Sequence, residues 1–141
     1  MINQILYIFI AYFIGSISFG ILASKIFNIT DPRAMGSKNP GATNVLRTGN
    51  KYAAVFTLLG DMLKATLVVG IALSLNFSGN FLTAVILAVL LGHMYPIFYN
   101  FKGGKGVATA LGILLAINWE LALFTLLIWI IIFFPFTFLI Y

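Results

Sequence analysis

The chain has no cysteine, a single histidine and only three acidic residues among 141. Without a thiol there is no disulfide framework, thiolate nucleophile, iron–sulfur cluster or cysteine-based zinc site. With one histidine there is no second imidazole ligand for a metal, and no His–Asp pair can be read from the spacing. Charge is scarce as well. Lys, Arg, Asp and Glu make up 8% of the chain, against about 25% in an ordinary soluble globule, too little to clothe a water-facing surface. What is abundant is apolar: 62% of residues are hydrophobic and the mean hydropathy is +1.09. Disorder is thereby excluded, since there is ample apolar surface to bury. The chain reads as one all-α domain over residues 1–141, a polytopic membrane helix bundle.

Crossing about 30 Å of hydrocarbon takes roughly 20 helical residues. Ile5 to Phe27 supplies one run, with Lys25 placed to snorkel from its end, and lacks the small-residue cleavage site of a signal peptide. Its Gly15, Ser16, Ser18 and Gly20 make a small-residue face suited to close helix packing. Tyr52 to Leu75 is a second run, interrupted by Asp61 and Lys64. Phe81 to about Phe98 is a third, and a last apolar stretch runs from Val107 to the end. Asn118-Trp119-Glu120 interrupts that stretch after about eleven residues. It is either one long helix with a buried polar step or two short helices joined at an outer interface, where Trp is at home; the second is preferred. Four to five membrane segments result.

The net charge of +5 is concentrated in two loops. Asn28 to Lys51 holds Arg33, Lys38, Arg47 and Lys51, and residues 100–106 hold Lys102 and Lys105. The intervening Asn76 to Asn80 carries none, so the positive-inside rule puts both basic loops in the cytoplasm and the N-terminus outside. This distribution suits anionic substrates and gives no footprint for nucleic acid.

Those two loops also carry the chemistry. Gly36-Ser37-Lys38-Asn39-Pro40-Gly41-Ala42-Thr43-Asn44-Val45-Leu46-Arg47 combines turn-forming glycines, neutral donors and a guanidinium fork that matches phosphate. A helix beginning near Ala42 would add partial positive charge, although the same residues would also serve a solvated loop. Phe101-Lys102-Gly103-Gly104-Lys105-Gly106-Val107 places three glycines around a lysine just before a helix, a natural anion cradle or a flexible connector. It is not a Walker A loop, with Tyr99 where glycine is required and Gly106 in place of Ser or Thr. Asp61 and Lys64, at i and i+3, can neutralise one another within the membrane. A lone His93 is more often structural than catalytic.

Taken together, these motifs closely resemble the bacterial acyl-phosphate:glycerol-3-phosphate acyltransferases. The resemblance is carried by Gly15-Ser16-Ile17-Ser18-Phe19-Gly20, by Asp31-Pro32-Arg33 with Gly36 to Arg47, and by Gly60-Asp61-Met62-Leu63-Lys64. Gly92-His93-Met94-Tyr95-Pro96 and Phe101 to Thr109 complete it, in the family's order and spacing over nearly all of residues 5–130. It implies transfer of an acyl chain from acyl phosphate to the 1-hydroxyl of glycerol 3-phosphate, giving lysophosphatidic acid at the cytoplasmic face of the bacterial inner membrane.

By the same resemblance Ser37 and Arg47 hold the substrate phosphate, Asn39, Thr43 and Asn44 shape the pocket, and Lys105 belongs to a second phosphate-binding motif. Ser37, Arg47 and Lys105 are the expected catalytic residues. Gly36, Gly41, His93, Gly103, Gly104 and Gly106 join the expected binding set, with Asp61 and Lys64 in support. No metal or organic cofactor is implied. A mixed anhydride has a good leaving group, so positioning and charge stabilisation suffice, with a substrate phosphate oxygen taking the hydroxyl proton.

The family continues with further helices and a third polar motif containing His, Asn and an acid, which nothing after Trp129 resembles. The ending Phe133 to Tyr141 has no basic flank, and the expectation is a chain lacking the family's C-terminal third. An inactive remnant, a partner chain supplying the missing motif, and a small anion-binding transporter are the alternatives, the last without the internal repeat that transport folds favour.

Overall fold

A computed structural model describes the backbone of residues 2–139 and the side chains of residues 3–133 and 135. Ile140 and Tyr141, the end of the terminal aromatic run, lie outside the described residues. The described chain is all-helical. Seven α-helices run in order: α1 (Ile2–Gly15), α2 (Phe19–Ile26), α3 (Ala42–Leu46), α4 (Lys51–Ser74), α5 (Gly79–Met94), α6 (Val107–Ile117) and α7 (Trp119–Leu139). One short 3-10 turn, Pro32–Ala34, lies in the first basic loop, and another, Ile97–Tyr99, leads into the second.

By length and composition α4 and the segment Gly79–Tyr99 can each cross a membrane. The bent pair α1–α2 makes a third span if counted as one, and Val107–Ile117 and the Trp119–Phe133 part of α7 are shorter apolar helical stretches. Large apolar side chains face outward: Leu6, Phe9, Leu63 and Leu67 are all exposed. A soluble fold would bury them; a bilayer solvates them. The interior is built instead from small residues, with Ala11, Ala65, Val69, Ala72, Val85 and Val89 fully enclosed where α1, α4 and α5 meet. Backbones approach so closely that a Cβ at Gly15 would strike the Val89 carbonyl, and one at Gly92 the Tyr12 carbonyl. Hydroxyls cross-link the helices: Tyr7 donates to the Val68 carbonyl at 2.6 Å and Thr66 to that of Gly112 at 2.9 Å.

The first apolar run, read above as one membrane run, is broken and bent by 45°. The break has a specific compensation. The Ile17 carbonyl accepts from Lys64 Nζ at 2.6 Å, and the Phe19 N–H donates to Asp61 Oδ1 at 3.4 Å. Ser18 caps α2. Backbone groups freed at membrane depth must find partners inside the protein, and two charged side chains of α4 provide them. The last stretch divides as two helices at Asn118, whose side chain accepts from the Leu121 N–H at 2.9 Å and caps α7. Glu120 sits in that first turn, where the helix dipole favours an acid.

Candidate active site

Asn44 organises the first basic loop. It is 2% exposed, and its amide nitrogen lies within hydrogen-bonding distance of three carbonyls, those of Pro32 (2.7 Å), Asn39 (2.9 Å) and Met35 (3.1 Å). Its Oδ1 accepts from the Ser37 N–H at 3.2 Å and from Arg47 at 3.3 Å. One buried amide thus folds residues 32–39 back over α3 and tethers the guanidinium at that helix's end. Gly36, at φ +52°, is required there, because a Cβ would overlap Asn44 Oδ1. Asn39 Oδ1 accepts from the Gly41 N–H at 2.8 Å and sets the turn into α3.

The second loop folds differently from the anion cradle its glycines suggest. The N–H groups of Gly103 and Gly104 donate to the carbonyls of Met94 (3.1 Å) and His93 (3.2 Å). They are therefore unavailable as ligand donors, and neither glycine lines the cavity described below. Their function here is close approach: Gly104 lies so near the His93 ring that a Cβ would meet Nε2. Gly106, at φ +81°, caps α6 in the left-handed region. The free N–H groups of α6's first turn follow directly after Lys105.

These two loops enclose a cavity of about 320 Å³. Of the expected residues, Ser37, Asn39, Gly41, Thr43, Asn44 and Arg47 line it from the first loop, and Lys105 and Gly106 from the second. His93 and Asp61 also reach it, while Gly36, Gly103 and Gly104 are not among its lining residues. Ser37, Thr43, Arg47 and Lys105 are exposed. The hydroxyls of Ser37 and Thr43 and the ammonium of Lys105 have no partner among the described residues, so they are free to meet a ligand.

Asp61 is paired with Lys64 at 2.8 Å, both side chains being 3% exposed. His93 extends this pair, with Nδ1 3.0 Å from Lys64 Nζ. The paired Asp61 leaves Arg47 and Lys105 as a net positive charge in the cavity, which therefore suits an anion. Sequence reasoning missed the wall formed by Leu58 and Trp129. Nothing local distinguishes Trp129 from other aromatics of α7; only its tertiary position does.

Beside the polar cavity lies a larger groove of about 1050 Å³, between α4, α6 and α7. Val55, Met62, Leu111, Leu114 and Leu126 line it, and it shares Leu58, Lys105, Val107 and Trp129 with the polar cavity. A cationic pocket thus opens directly onto an apolar trough.

Residues 5–139 match the family profile described as "Glycerol-3-phosphate acyltransferase". The chain belongs to the glycerol-3-phosphate acyltransferase family. It is 56% identical over 131 residues to the glycerol-3-phosphate acyltransferase of Methylobacillus flagellatus, covering 93% of this chain and 67% of that one. To the enzyme of the same name from Cupriavidus pinatubonensis it is 54% identical over 137 residues, covering 94% and 68%. Among solved structures it resembles PlsY (YgiH), an integral membrane glycerol 3-phosphate acyltransferase, in its glycerol 3-phosphate form, with TM-score 0.88 and 43% identity. That match covers 94% of this chain and 66% of PlsY; the lysophosphatidic acid form of PlsY gives 0.85 at 42% identity, covering 93% and 65%. The chain is thus an integral membrane protein of this family, and it spans about two thirds of the length of these relatives.

Proposed function

We propose that this chain transfers an acyl group from acyl phosphate to the 1-hydroxyl of glycerol 3-phosphate. The observation that carries the reading is the continuity of the two cavities. Lys105 and the first turn of α6 border both the cationic pocket and the apolar trough. That is the shape required by a substrate with a phosphate at one end and a hydrocarbon chain at the other.

In this reading Ser37 and Arg47 hold one phosphate, Arg47 through a planar fork already oriented by Asn44. Lys105 and the N–H groups opening α6 hold the other and accommodate charge on the carbonyl oxygen. The acyl chain lies in the trough. The 1-hydroxyl oxygen attacks the carbonyl carbon, the carbon–oxygen bond to phosphate breaks, and inorganic phosphate leaves. The hydroxyl proton passes to a substrate phosphate oxygen. Most of the rate then comes from holding two anions in register. The distribution of lysines and arginines supports a site on the cytoplasmic side with the N-terminus outside, and on this reading the membrane is the bacterial inner membrane.

The test is to incubate the purified 141-residue protein, in detergent or lipid, with palmitoyl phosphate and glycerol 3-phosphate. Lysophosphatidic acid is expected, with a loss of about 100-fold or more in Arg47→Ala, the scale for removing a transition-state donor. No product from well-folded protein would overturn the reading. A glycerol analogue without phosphate should turn over far more slowly at saturation; equal turnover would remove the substrate phosphate as proton acceptor.

A further inference from the structure

His93 closes α5, and its side chain is 6% exposed. Lys64 Nζ has three protons and no lone pair, and three acceptors surround it: Asp61 Oδ1 at 2.8 Å, the Ile17 carbonyl at 2.6 Å and His93 Nδ1 at 3.0 Å. Against an ammonium donor, Nδ1 must accept, so it carries no proton. The competing partner for an Nδ1–H, Asp61 Oδ1, is 3.6 Å away, beyond hydrogen-bonding distance. The ring is then neutral and its single proton sits on Nε2.

That Nε2–H has no protein partner among the described residues. Every fully enclosed polar side-chain atom described there is hydrogen-bonded, so Nε2 is not enclosed; His93 reaches solvent at the cationic cavity that it lines. The glycine at 104 is what leaves the nitrogen clear, since a Cβ would cover it. A nine-tenths-buried imidazole thus presents one unpartnered donor to a pocket that also holds the free Ser37 and Thr43 hydroxyls, the Lys105 ammonium and the first turn of α6.

We infer that His93 is a neutral hydrogen-bond donor to a phosphate oxygen of bound substrate, with Lys64 and Asp61 as positioning residues that fix its tautomer. The inference rests on the acyltransferase reading and deepens it: with Nδ1 occupied by Lys64 and Nε2 protonated, His93 has no lone pair with which to deprotonate glycerol 3-phosphate.

Because His93 is the only histidine, uniform ¹⁵N-histidine labelling of the full chain, purified without a histidine tag, reports one ring. A long-range ¹H–¹⁵N spectrum at neutral pH should show the Nε2–H tautomer with a bare Nδ1. Glycerol 3-phosphate in one arm, and dodecyl phosphate in the other, should shift Nε2, and whichever does so names the phosphate held. An Nδ1–H tautomer, an imidazolium, or a resonance unmoved by both ligands overturns the inference.

Two variants separate donor from base. His93→Gln can place an N–H where Nε2 was, whereas His93→Asn keeps only an acceptor for Lys64. The Asn variant should lose about 100-fold in turnover and the Gln variant less than about tenfold; equal losses from two folded variants overturn the inference. A shifted Nε2 in a chain that forms no lysophosphatidic acid would leave His93 as an anion donor and retire the acyltransferase reading alone.

Discussion

Two ion pairs of nearly equal length occupy very different surroundings. Arg33 and Asp31 meet at 2.7 Å in the first basic loop, with side chains 39% and 35% exposed. Lys64 and Asp61 meet at 2.8 Å on α4, each 3% exposed. Distance alone would rank them together. Water and ions screen the first pair and offer each partner an alternative, so it adds little to stability. The second has no alternative partner but the protein: both charges are held by backbone groups freed at the α1–α2 break, and Lys64 also by His93. Such a pair is no proof of net stabilisation, since an apolar replacement can be as stable. What it supplies is geometry, tying the break in one helix and the imidazole of another to fixed positions beside the cavity.

The comparison breaks most visibly at Lys64. Lys64→Ala leaves the Asp61 carboxylate without its counter-ion and the Ile17 carbonyl without its donor, and should cost about 3–5 kcal/mol, the scale for halving a buried pair. Denaturation of the detergent-solubilised protein with SDS measures it. The double variant Asp61→Ala with Lys64→Ala should cost clearly less than the two single losses added together, because neither charge is then stranded. Strict additivity would show that the two do not act as a unit.

Asn44 lies between the extremes, buried yet within a loop. Asn44→Ala strips three carbonyls of their donor, and a loss of about 2 kcal/mol is expected from unsatisfied buried groups. Asn44→Asp should be worse, since it turns a carboxylate oxygen toward those carbonyls. Arg47 loses its tether in the Ala variant, so the KM for glycerol 3-phosphate should rise more than kcat falls. An unchanged KM would separate the loop knot from substrate binding.

How much of this was legible beforehand depends on where each partner lies. The split at Asn118 could be read because the polar step Asn118-Trp119-Glu120 lies in the sequence at the point where the two helices part. The grouping of Arg47 with Lys105 followed from charge distribution alone. The α1–α2 break could not be read, since the groups that satisfy it lie 42 and 47 residues away on α4. Nor could the fate of the Gly103 and Gly104 N–H groups, whose acceptors belong to the end of α5. His93 was seen as a lone histidine because its neighbour Lys64 is 29 residues off, on another helix. Local signals announced the polar break and the charges; long-range pairing decided which donors remained free.

The smallest effect belongs to the exposed pair, and it sharpens the comparison through pH and salt. Hydrogen bonding from Arg33 holds the Asp31 carboxyl below its ordinary value. A carboxylate depressed on folding contributes stability above its unfolded pKa, about 3.9. That contribution fades as pH falls through the lower folded value. Asp31→Asn should therefore cost less than about 1 kcal/mol at neutral pH. The difference from wild type should vanish in acid and shrink in high salt, where exposed charges are screened. The Lys64→Ala loss, measured beside it, should respond far less to salt, because both side chains are only 3% exposed. If both losses responded alike, burial would not be what distinguishes the two pairs, and the fixed geometry assigned to Asp61, Lys64 and His93 would lose its physical basis.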